Sequence, residues 1–413
     1  MSDDRGPGET PGFRDEVRAF LRENLPHDWQ GVGALSGDAR ATFLREWRAL
    51  TAEHRFLVVA WPEEYGGRGL GKLDHLVVVQ EFARAKVPLG VPGDTVSVKM
   101  FGNTLLKWGT PEQKARFLPR IVSGEDVWCQ GYSEPGAGSD LVSLRTRAEL
   151  TDEGWVINGQ KIWTSNAANA NWMFALVRTD ADAPQNRGIT MLVLPTDQPG
   201  VDVRPIRMLT GAQDFCEVFF TDAHADAENV IGTVNEGWTV ANSLLAHERG
   251  EEAAANPVLF GQELDRVIAL VRERAETVTP AEKARLGRAC AELVTMKAMG
   301  DGILADYIRD GSLGLAGSIS KLYWSEYHQR VAELAVDVLG DDALTWTGDV
   351  PHRWFRADDP GAKNDSASWL TIYLSNAMSG TVYAGTSEVH RNIIGERILG
   401  LPREPRATPA ARA

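Results

Sequence analysis

The chain has 413 residues, of which 43% are hydrophobic and 24% are charged, a composition typical of a folded protein with two or three domains. Its formal net charge of −14 argues against nucleic acid or an anionic membrane surface as a partner, although it does not exclude a local basic pocket. No apolar run approaches the roughly 18–20 residues that span a bilayer, and the N-terminus lacks the apolar core of a signal peptide. The three cysteines are scattered and indicate neither disulfides nor a metal site. The expected location is therefore the cytoplasm.

The first part of the chain, residues 1–125, has the pattern of an N-terminal helical domain. Val17, Phe20 and Leu21 recur at helical spacing within residues 13–25. Further on, Thr110-Pro111-Glu112-Gln113 is typical of a helix start, because Thr suits the N-cap, Pro the first turn, and Gln the third helical position of a capping box. This part therefore predicts several amphipathic helices.

The pattern changes to short β-prone segments in residues 126–235, and residues 236–400 become helical again. Within the β part, Asn158-Gly159 separates two β-prone triplets and predicts a hairpin turn. Residues 401–413 are rich in Pro, Ala and Arg and are predicted to be a disordered tail. The predicted fold class is α+β and multidomain, with an N-terminal helical domain, a central β-barrel-like domain and a C-terminal helical bundle.

Three segments carry candidate chemistry, and the first is Gly131–Asp140, which reads GYSEPGAGSD. Its three glycines let backbone N–H groups come close to a ligand, beside the hydroxyl groups of Ser133 and Ser139. A segment of this composition is also typical of an ordinary surface turn, so by itself it does not specify a site.

The second and third segments are Asn158–Asn166 and Tyr383–Asn392. In the second, Trp163 can cover the flat face of a ring, and the hydroxyl residues after it, including Ser165, can bond the edge of that ring. In the third, Thr386 or Ser387 can cap the N-terminus of a helix, which is a natural phosphate site. Each segment has an ordinary structural interpretation when it is considered alone.

Together and in this order, the three segments resemble the acyl-CoA dehydrogenase family over about Phe13 to Arg403. The resemblance implies FAD as cofactor and α,β-dehydrogenation of an acyl thioester as the reaction. It also implies roles for five side chains. Ser133 bonds the edge of the flavin ring, and Ser139 bonds the pyrophosphate. Trp163 stacks on the isoalloxazine, Ser165 lies near N5 where the family usually has Thr, and Thr386 contacts the ribityl–phosphate arm.

In this family a base removes the α-proton while flavin N5 takes the β-hydride, and hydrogen bonds to the thioester oxygen stabilise the developing enolate. Many members carry the catalytic Glu at the second position of a Tyr-x-Gly-Thr motif. Ala384 occupies that position here. The resemblance therefore implies that the backbone N–H of Ala384 still serves the thioester oxygen, and that the base comes from elsewhere.

Isovaleryl-CoA dehydrogenase and its relatives place the Glu on an earlier helix, directly before an Arg, and Glu248 and Arg249 match that pair. Glu248 follows Ala241 by seven residues and Leu244 by four, which places it on an apolar helical stripe. We therefore predict Glu248 as the catalytic base and Arg249 as a substrate-binding residue. The alternatives are a buried Glu248 paired with a basic neighbour, and Glu252, one turn further on, as the base.

Family homotetramers complete each FAD site with a neighbour's Arg-x-x-Phe-Gly stretch and Gln-x-x-Gly-Gly loop. The first is absent from residues 272–286, and the second is replaced by Asp337-Val338-Leu339-Gly340-Asp341-Asp342. Three aspartates beside a pyrophosphate would repel it. Two interpretations of this loop stay open. It is a plain surface loop, or the chain works beside a different subunit, as in the α₂β₂ members known among actinobacterial enzymes for steroid side chains. The C-terminal sequence of this chain resembles that of actinobacterial members.

Two other functions use the same fold and stay open: an O₂-using flavin monooxygenase, which needs no α-proton base, and a non-catalytic subunit of a hetero-oligomeric dehydrogenase. The preferred function implies an electron-transferring flavoprotein or a similar acceptor as redox partner, and a homo- or hetero-oligomer as the assembly. The sequence does not specify the acyl chain, or whether CoA or an acyl-carrier protein holds it.

Overall fold

The structure, a computed structural model, describes residues 9–184, 186–310, 316–348 and 360–403, except the side chains of residues 245–254, 307, 308 and 310. Helical, β and helical regions follow one another along the chain. The N-terminal helices are α1 (Phe13–Asn24), α2 (Gly37–Glu53), α3 (Lys72–Arg84), α4 (Asn103–Trp108) and α5 (Pro111–Ser123), with a π-helical stretch (Thr95–Gly102) leading into α4. An aromatic cluster of Phe20, Trp47, Phe56 and Phe82 holds the first three helices together.

The predicted capping box is confirmed at the start of α5. The Thr110 hydroxyl accepts a hydrogen bond from the Gln113 backbone N–H at 3.2 Å, and the Gln113 side chain accepts one from the Thr110 N–H at 3.0 Å. Pro111 occupies the first helical position, where its missing N–H costs nothing. The sequence therefore fixes this helix start locally.

The central region is one mixed sheet. Its strands are β1 (Trp128–Gly131), β2 (Arg147–Thr151), β3 (Gly154–Ser165), β4 (Trp172–Arg178), β5 (Ile189–Pro195), β6 (Val201–Ile206), β7 (Phe215–Ala225) and β8 (Val230–Ile231). The strand order is β6-β7-β3-β2-β4-β5-β8, and β1 pairs with β4 in parallel. One apolar side of the sheet packs against the N-terminal helices, where Phe101 stacks on Trp128 at 3.8 Å between ring centroids.

The hairpin predicted at Asn158-Gly159 is wrong, because both residues lie inside the continuous strand β3. The pairing of β3 with β7 shifts register between Ile157 and Gly159, which is a β-bulge rather than a turn. Gly159 has φ +148°, and a Cβ there would meet the Thr146 side chain at 2.6 Å. The glycine is therefore needed for a close approach between strands, a requirement that looks the same as a turn signal in sequence.

The C-terminal region is a bundle of α6 (Gly237–Glu273), α7 (Pro280–Asp310) and α8 (Ala316–Leu339), with the short helices α9 (Ser366–Thr371), α10 (Met378–Gly380) and α11 (Ser387–Ile393) against α8. Phe260, Trp324, Tyr327 and Trp369 lie in the core of this bundle. Helix α3 packs on α6 and joins the first region to the last. Among the described residues, no helix has the length and apolar character to cross a membrane. The predicted fold class is confirmed.

Candidate active site

A buried ion pair ties the first two candidate segments together. The Lys161 ammonium on β3 is fully buried and lies 2.8 Å from the Glu134 carboxylate, with further hydrogen bonds to the carbonyl oxygens of Tyr132 (3.1 Å) and Leu176 (2.7 Å). In addition, the Ile162 N–H donates to the Ser133 carbonyl oxygen at 2.9 Å. We call residues 131–140 and 158–166 together the cradle.

The charges of this pair are compensated on all sides. Glu134 also accepts hydrogen bonds from the backbone N–H groups of Arg145 at 2.6 Å and Thr146 at 2.9 Å. Burial opposes ionisation of Glu134, but Lys161 and the backbone donors outweigh it and hold the pKa of that carboxyl below its ordinary value. Burial lowers the pKa of Lys161 to about 8, against the attraction of Glu134. The pair therefore joins the two segments of the cradle through buried, mutually compensated charges.

Glu134 and Lys161 both lie within the candidate segments, but their ion pair was not predicted from the sequence. A signal was present. Lys161 lies an even number of residues after Trp155 and Ile157 and therefore points to the same buried side of β3, where a Lys needs an acidic or polar partner. The partner could not be identified by spacing alone, since Glu134 is 27 residues away in the chain.

The end of β3 presents the indole of Trp163 outwards. This side chain is 57% exposed, and its backbone has φ +59°, an uncommon conformation for a bulky residue. The pairing of β3 with β7 shifts register between Lys161 and Thr164, so Trp163 turns out while Thr164 stays buried. Phe215 meets the indole edge-on at 6.1 Å between ring centroids. An exposed and braced aromatic face suits a flat ligand ring.

The cradle also offers three serine hydroxyl groups. Ser133 and Ser165 are half-buried and Ser139 is exposed, and among the described residues none forms a hydrogen bond with any of these hydroxyls. Around them, Glu134 and Ala137 exchange backbone hydrogen bonds at 3.0 and 3.1 Å and form a tight turn. This arrangement leaves polar groups on a fixed backbone for a ligand.

The third segment lies in the C-terminal region, in the loop Tyr383–Thr386 before α11, which we call the C-terminal loop. Ala384 and Gly385 have φ +52° and +94°. The Ala384 carbonyl oxygen lies 3.1 Å from Nε2 of His390, and the Gly385 carbonyl oxygen accepts a hydrogen bond from Lys321 Nζ at 2.5 Å. Within the described part of the chain, no acceptor takes the Ala384 N–H. The loop therefore turns its carbonyl groups inward and keeps one N–H for another partner.

Thr386 caps α11, as predicted for this segment, because its hydroxyl accepts a hydrogen bond from the Val389 N–H at 3.2 Å. A pocket of about 470 Å³ lies between α8 and the start of α11, lined by Thr386, Glu388 and Arg391 among others. The α11 backbone N–H and then Thr386 hold the pKa of Glu388 below its ordinary value. The third segment is thus built around a helix N-terminus, as its sequence indicates.

The predicted base, Glu248, lies on α6. Ala241 and Leu244 are 1% and 3% exposed, in line with the predicted apolar stripe before it. The side chains of Glu248, Arg249 and Glu252 lie outside the described residues. Their roles therefore stay predictions.

The acidic segment at the end of α8, Asp337 to Asp342, forms ion pairs within the chain. Asp337 pairs with Arg285, which also lies 3.3 Å from Glu333. Asp342 pairs with Arg274, and Arg274 also donates to the Leu339 carbonyl oxygen at 3.0 Å. These ion pairs reduce the repulsion expected from Asp337 and Asp342. These arginines are in turn engaged with their own chain.

Comparison with known proteins agrees with this architecture. Residues 8–125, 129–223 and 235–399 match the profiles described as acyl-CoA dehydrogenase N-terminal, middle and C-terminal domain. The acyl-CoA dehydrogenase IpdE1 of Mycobacterium tuberculosis is 39% identical over 398 residues, which cover 95% of this chain and 98% of that protein.

Two solved structures are similar over nearly the full length. The Tcur3481–Tcur3483 steroid ACAD has a TM-score of 0.77 and 30% identity, covering 97% of this chain and all of that one. The ChsE4–ChsE5 complex from Mycobacterium tuberculosis has a TM-score of 0.74 and 28% identity, covering 96% and 99%. Fold and relatives together define a flavoprotein oxidoreductase of lipid metabolism. The chain belongs to the acyl-CoA dehydrogenase family.

The enzyme is an acyl-CoA dehydrogenase with FAD as cofactor, which confirms the expected family and cofactor. The described residues fit FAD on structural grounds. The exposed indole of Trp163 offers a stacking face, the serine hydroxyls have no partner among the described residues, and a Cβ added at Gly136 or Gly138 would meet nothing within 4 Å.

Proposed function

We propose that this enzyme removes the α-proton and a β-hydrogen from an acyl thioester, with Glu248 as the base and the Ala384 N–H as a donor to the thioester oxygen. The observation that carries the proposal is the C-terminal loop: Ala384 has no carboxylate, yet its N–H is left without an acceptor in the described part of the chain while its carbonyl oxygen meets His390. The loop thus fits the role of stabilising an enolate without supplying a base.

Each step then has a named group. Glu248 takes the α-proton, and the Ala384 N–H stabilises the negative charge that develops on the thioester oxygen. Arg249 contacts the substrate. When bound, FAD supplies the oxidising centre that accepts the β-hydrogen with its electron pair, so that an α,β double bond forms. Trp163 and Ser165 hold the ring system, while Ser133, Ser139 and Thr386 bond its polar edge and its phosphate-bearing arm. An electron-transferring flavoprotein or a similar cytoplasmic acceptor removes the electrons.

The test is anaerobic mixing of the FAD-loaded enzyme with a series of acyl thioesters, followed by flavin absorbance. Likeness to a steroid ACAD supports beginning the series with CoA thioesters of steroid side chains, next to short and long straight chains. We expect bleaching by at least one thioester, with a matching α,β-unsaturated product. Absence of bleaching together with O₂-dependent substrate oxidation would favour the monooxygenase alternative. Absence of both would favour a non-catalytic subunit.

We also propose that a second, different subunit completes the FAD site. Two observations support this. The two similar solved structures, the Tcur3481–Tcur3483 steroid ACAD and the ChsE4–ChsE5 complex, each consist of a pair of proteins. In addition, Arg274 and Arg285 form ion pairs with Asp342 and Asp337 of their own chain. These arginines would have to break ion pairs before they could contact a neighbour's pyrophosphate.

Native mass spectrometry of the chain expressed alone decides between the two assemblies. We expect incomplete FAD occupancy for the single chain and full occupancy only with a second subunit. A stable homotetramer with one FAD per chain would refute the hetero-oligomer proposal and leave the proposed reaction intact.

A further inference from the structure

The C-terminal loop is held at both ends by backbone hydrogen bonds. The Tyr383 N–H donates to the Ser379 carbonyl oxygen at 3.0 Å, and the Ser387 N–H donates to the Thr381 carbonyl oxygen at 3.0 Å. Between these two bonds, Ala384 has φ +52°, which falls in the small left-handed helical region that residues with a Cβ rarely adopt. Such a conformation persists only where its surroundings hold it in place.

Two buried side chains hold the middle of the loop by its carbonyl groups. His390 is 1% exposed, and its Nε2 lies 3.1 Å from the Ala384 carbonyl oxygen. Lys321 is 4% exposed, and its ammonium donates to the Gly385 carbonyl oxygen at 2.5 Å. Because a carbonyl oxygen can only accept, Nε2 of His390 carries the proton in this contact. A Cβ at Gly385 would meet that nitrogen at 3.0 Å, so the glycine gives the ring the space it needs.

The carbonyl group of Ala384 sets the direction of the N–H of the same residue. In a helical conformation of either hand, the N–H and the C=O of one residue point in nearly opposite directions. His390 is buried whereas Ala384 is exposed, so a carbonyl oxygen held inward at His390 turns the N–H outward. Rotation of this residue would carry the N–H away from a ligand that lies on the outer side of the loop.

We propose that His390 and Lys321 are positioning residues for the enolate. His390 fixes the direction of the Ala384 N–H, and Lys321 holds the next peptide group against rotation. Both act through the loop backbone and do not contact the substrate. The inference rests on the proposed function, in which the Ala384 N–H stabilises the thioester oxygen. A donor stabilises an oxyanion only when it is aimed at the place where the negative charge develops, so a loop free to rotate should lose much of this effect.

The test measures how strongly the FAD-loaded enzyme stabilises an enolate, apart from any oxidation. The probe is an acyl-CoA that bleaches the wild-type flavin, prepared with sulfur in place of the β-carbon. This probe has no β-hydrogen to transfer, but it can lose an α-proton and form an enolate beside the oxidised flavin, which produces a long-wavelength charge-transfer absorbance. Titration of that absorbance against pH, at saturating probe, gives the ionisation constant of the bound probe.

The two positioning residues should each affect this constant. His390→Leu should lower it about tenfold or more, since loss of one oxyanion donor typically costs about 10²–10³ in rate. Lys321→Met is an independent variant that should lower it in the same direction. His390→Gln retains a side-chain N–H donor and Lys321→Arg retains the charge, so each should recover most of the ionisation that the matching apolar variant loses.

Thr371→Val is the control for stability alone. It removes a buried hydrogen bond of 2.7 Å to the Ala367 carbonyl oxygen in α9, outside the loop, so it should lower the melting temperature and leave the ionisation constant unchanged. Equal constants for the wild type, His390→Leu and Lys321→Met would overturn the inference and leave the proposed reaction intact. An equal fall in Thr371→Val would also overturn it. A wild-type enzyme that neither bleaches with any thioester nor ionises the probe would overturn the proposed function together with the inference.

Discussion

The cradle and the C-terminal loop position the protein groups that face the ligand in different ways. In the cradle, a buried Lys161–Glu134 ion pair fixes two segments, and side chains such as Trp163 face outwards. In the C-terminal loop, Lys321 donates to one backbone carbonyl oxygen and His390 lies within hydrogen-bond distance of another, and the outward group is a backbone N–H. In the proposed reaction the contribution of this loop is the backbone N–H of Ala384, and every residue except proline carries such a group, so the loop can keep this role without a carboxylate at position 384.

The largest effect is expected at the proposed base. Glu248→Gln keeps the shape of the side chain but removes the proton acceptor, so flavin reduction by substrate should fall by about 10²–10⁴-fold while FAD binding persists. Stopped-flow mixing under anaerobic conditions measures this rate. The matched control is Glu252→Gln, one turn away, which should reduce its flavin at nearly the wild-type rate. The opposite ranking of the two variants would move the base to Glu252.

The second effect concerns the brace of the cradle. Lys161→Met leaves Glu134 buried without its cation, and removal of one partner from a buried pair typically costs about 3–5 kcal/mol. Thermal unfolding of the apoprotein should show a clear loss of stability. Lys161→Met/Glu134→Leu removes both charges and should be less destabilised than the single variant. If Lys161→Met unfolded at the wild-type temperature, the pair would not be a brace.

The same pair predicts a dependence on pH. Because the folded state holds the pKa of Glu134 below its ordinary value of 4.5, its ionised form stabilises the fold above that pH. This contribution is lost as the pH falls through the lower folded-state pKa. The stability difference between wild type and Glu134→Gln should therefore shrink as the pH decreases below about 4.5, as measured by urea unfolding at several pH values. A constant difference would contradict the assigned ion pair.

A smaller effect is expected for Thr386→Ala in the C-terminal loop. The change removes the N-cap of α11 and should lower the free energy of unfolding by about 0.5–2 kcal/mol. The backbone bonds around Ala384 and Gly385 remain, so the loop should keep its shape. A melting curve measures the stability, and Thr386→Ser, which retains the hydroxyl, should be close to wild type. Equal losses for Ala and Ser would show that the cap does not matter.

The smallest effect is expected for Trp163→Ala, which removes a stacking face worth about 0.5–1.5 kcal/mol beyond its area. FAD affinity measured by fluorescence titration should fall about two- to tenfold from that contribution alone. Trp163→Phe retains an aromatic face and should lose less. An unchanged affinity in Trp163→Ala would separate the exposed indole from flavin binding.

Much of the fold follows from local sequence signals. The Thr110–Gln113 capping box and the helix cap at Thr386 were predictable because all their partners lie within three residues. Gly159 was misread because a glycine required by a close strand contact resembles a glycine required by a turn. The Lys161–Glu134 brace depends on tertiary pairing, which spacing does not reveal.

The central claim is that Glu248 removes the α-proton, and exchange of that proton tests it without any oxidation step. The reduced enzyme is incubated anaerobically with an α-deuterated acyl-CoA that bleached the wild-type flavin, and loss of deuterium to solvent is followed by mass spectrometry. We predict exchange by the wild type and by Glu252→Gln, and none above background by Glu248→Gln. Exchange by Glu248→Gln at the wild-type rate would contradict the account.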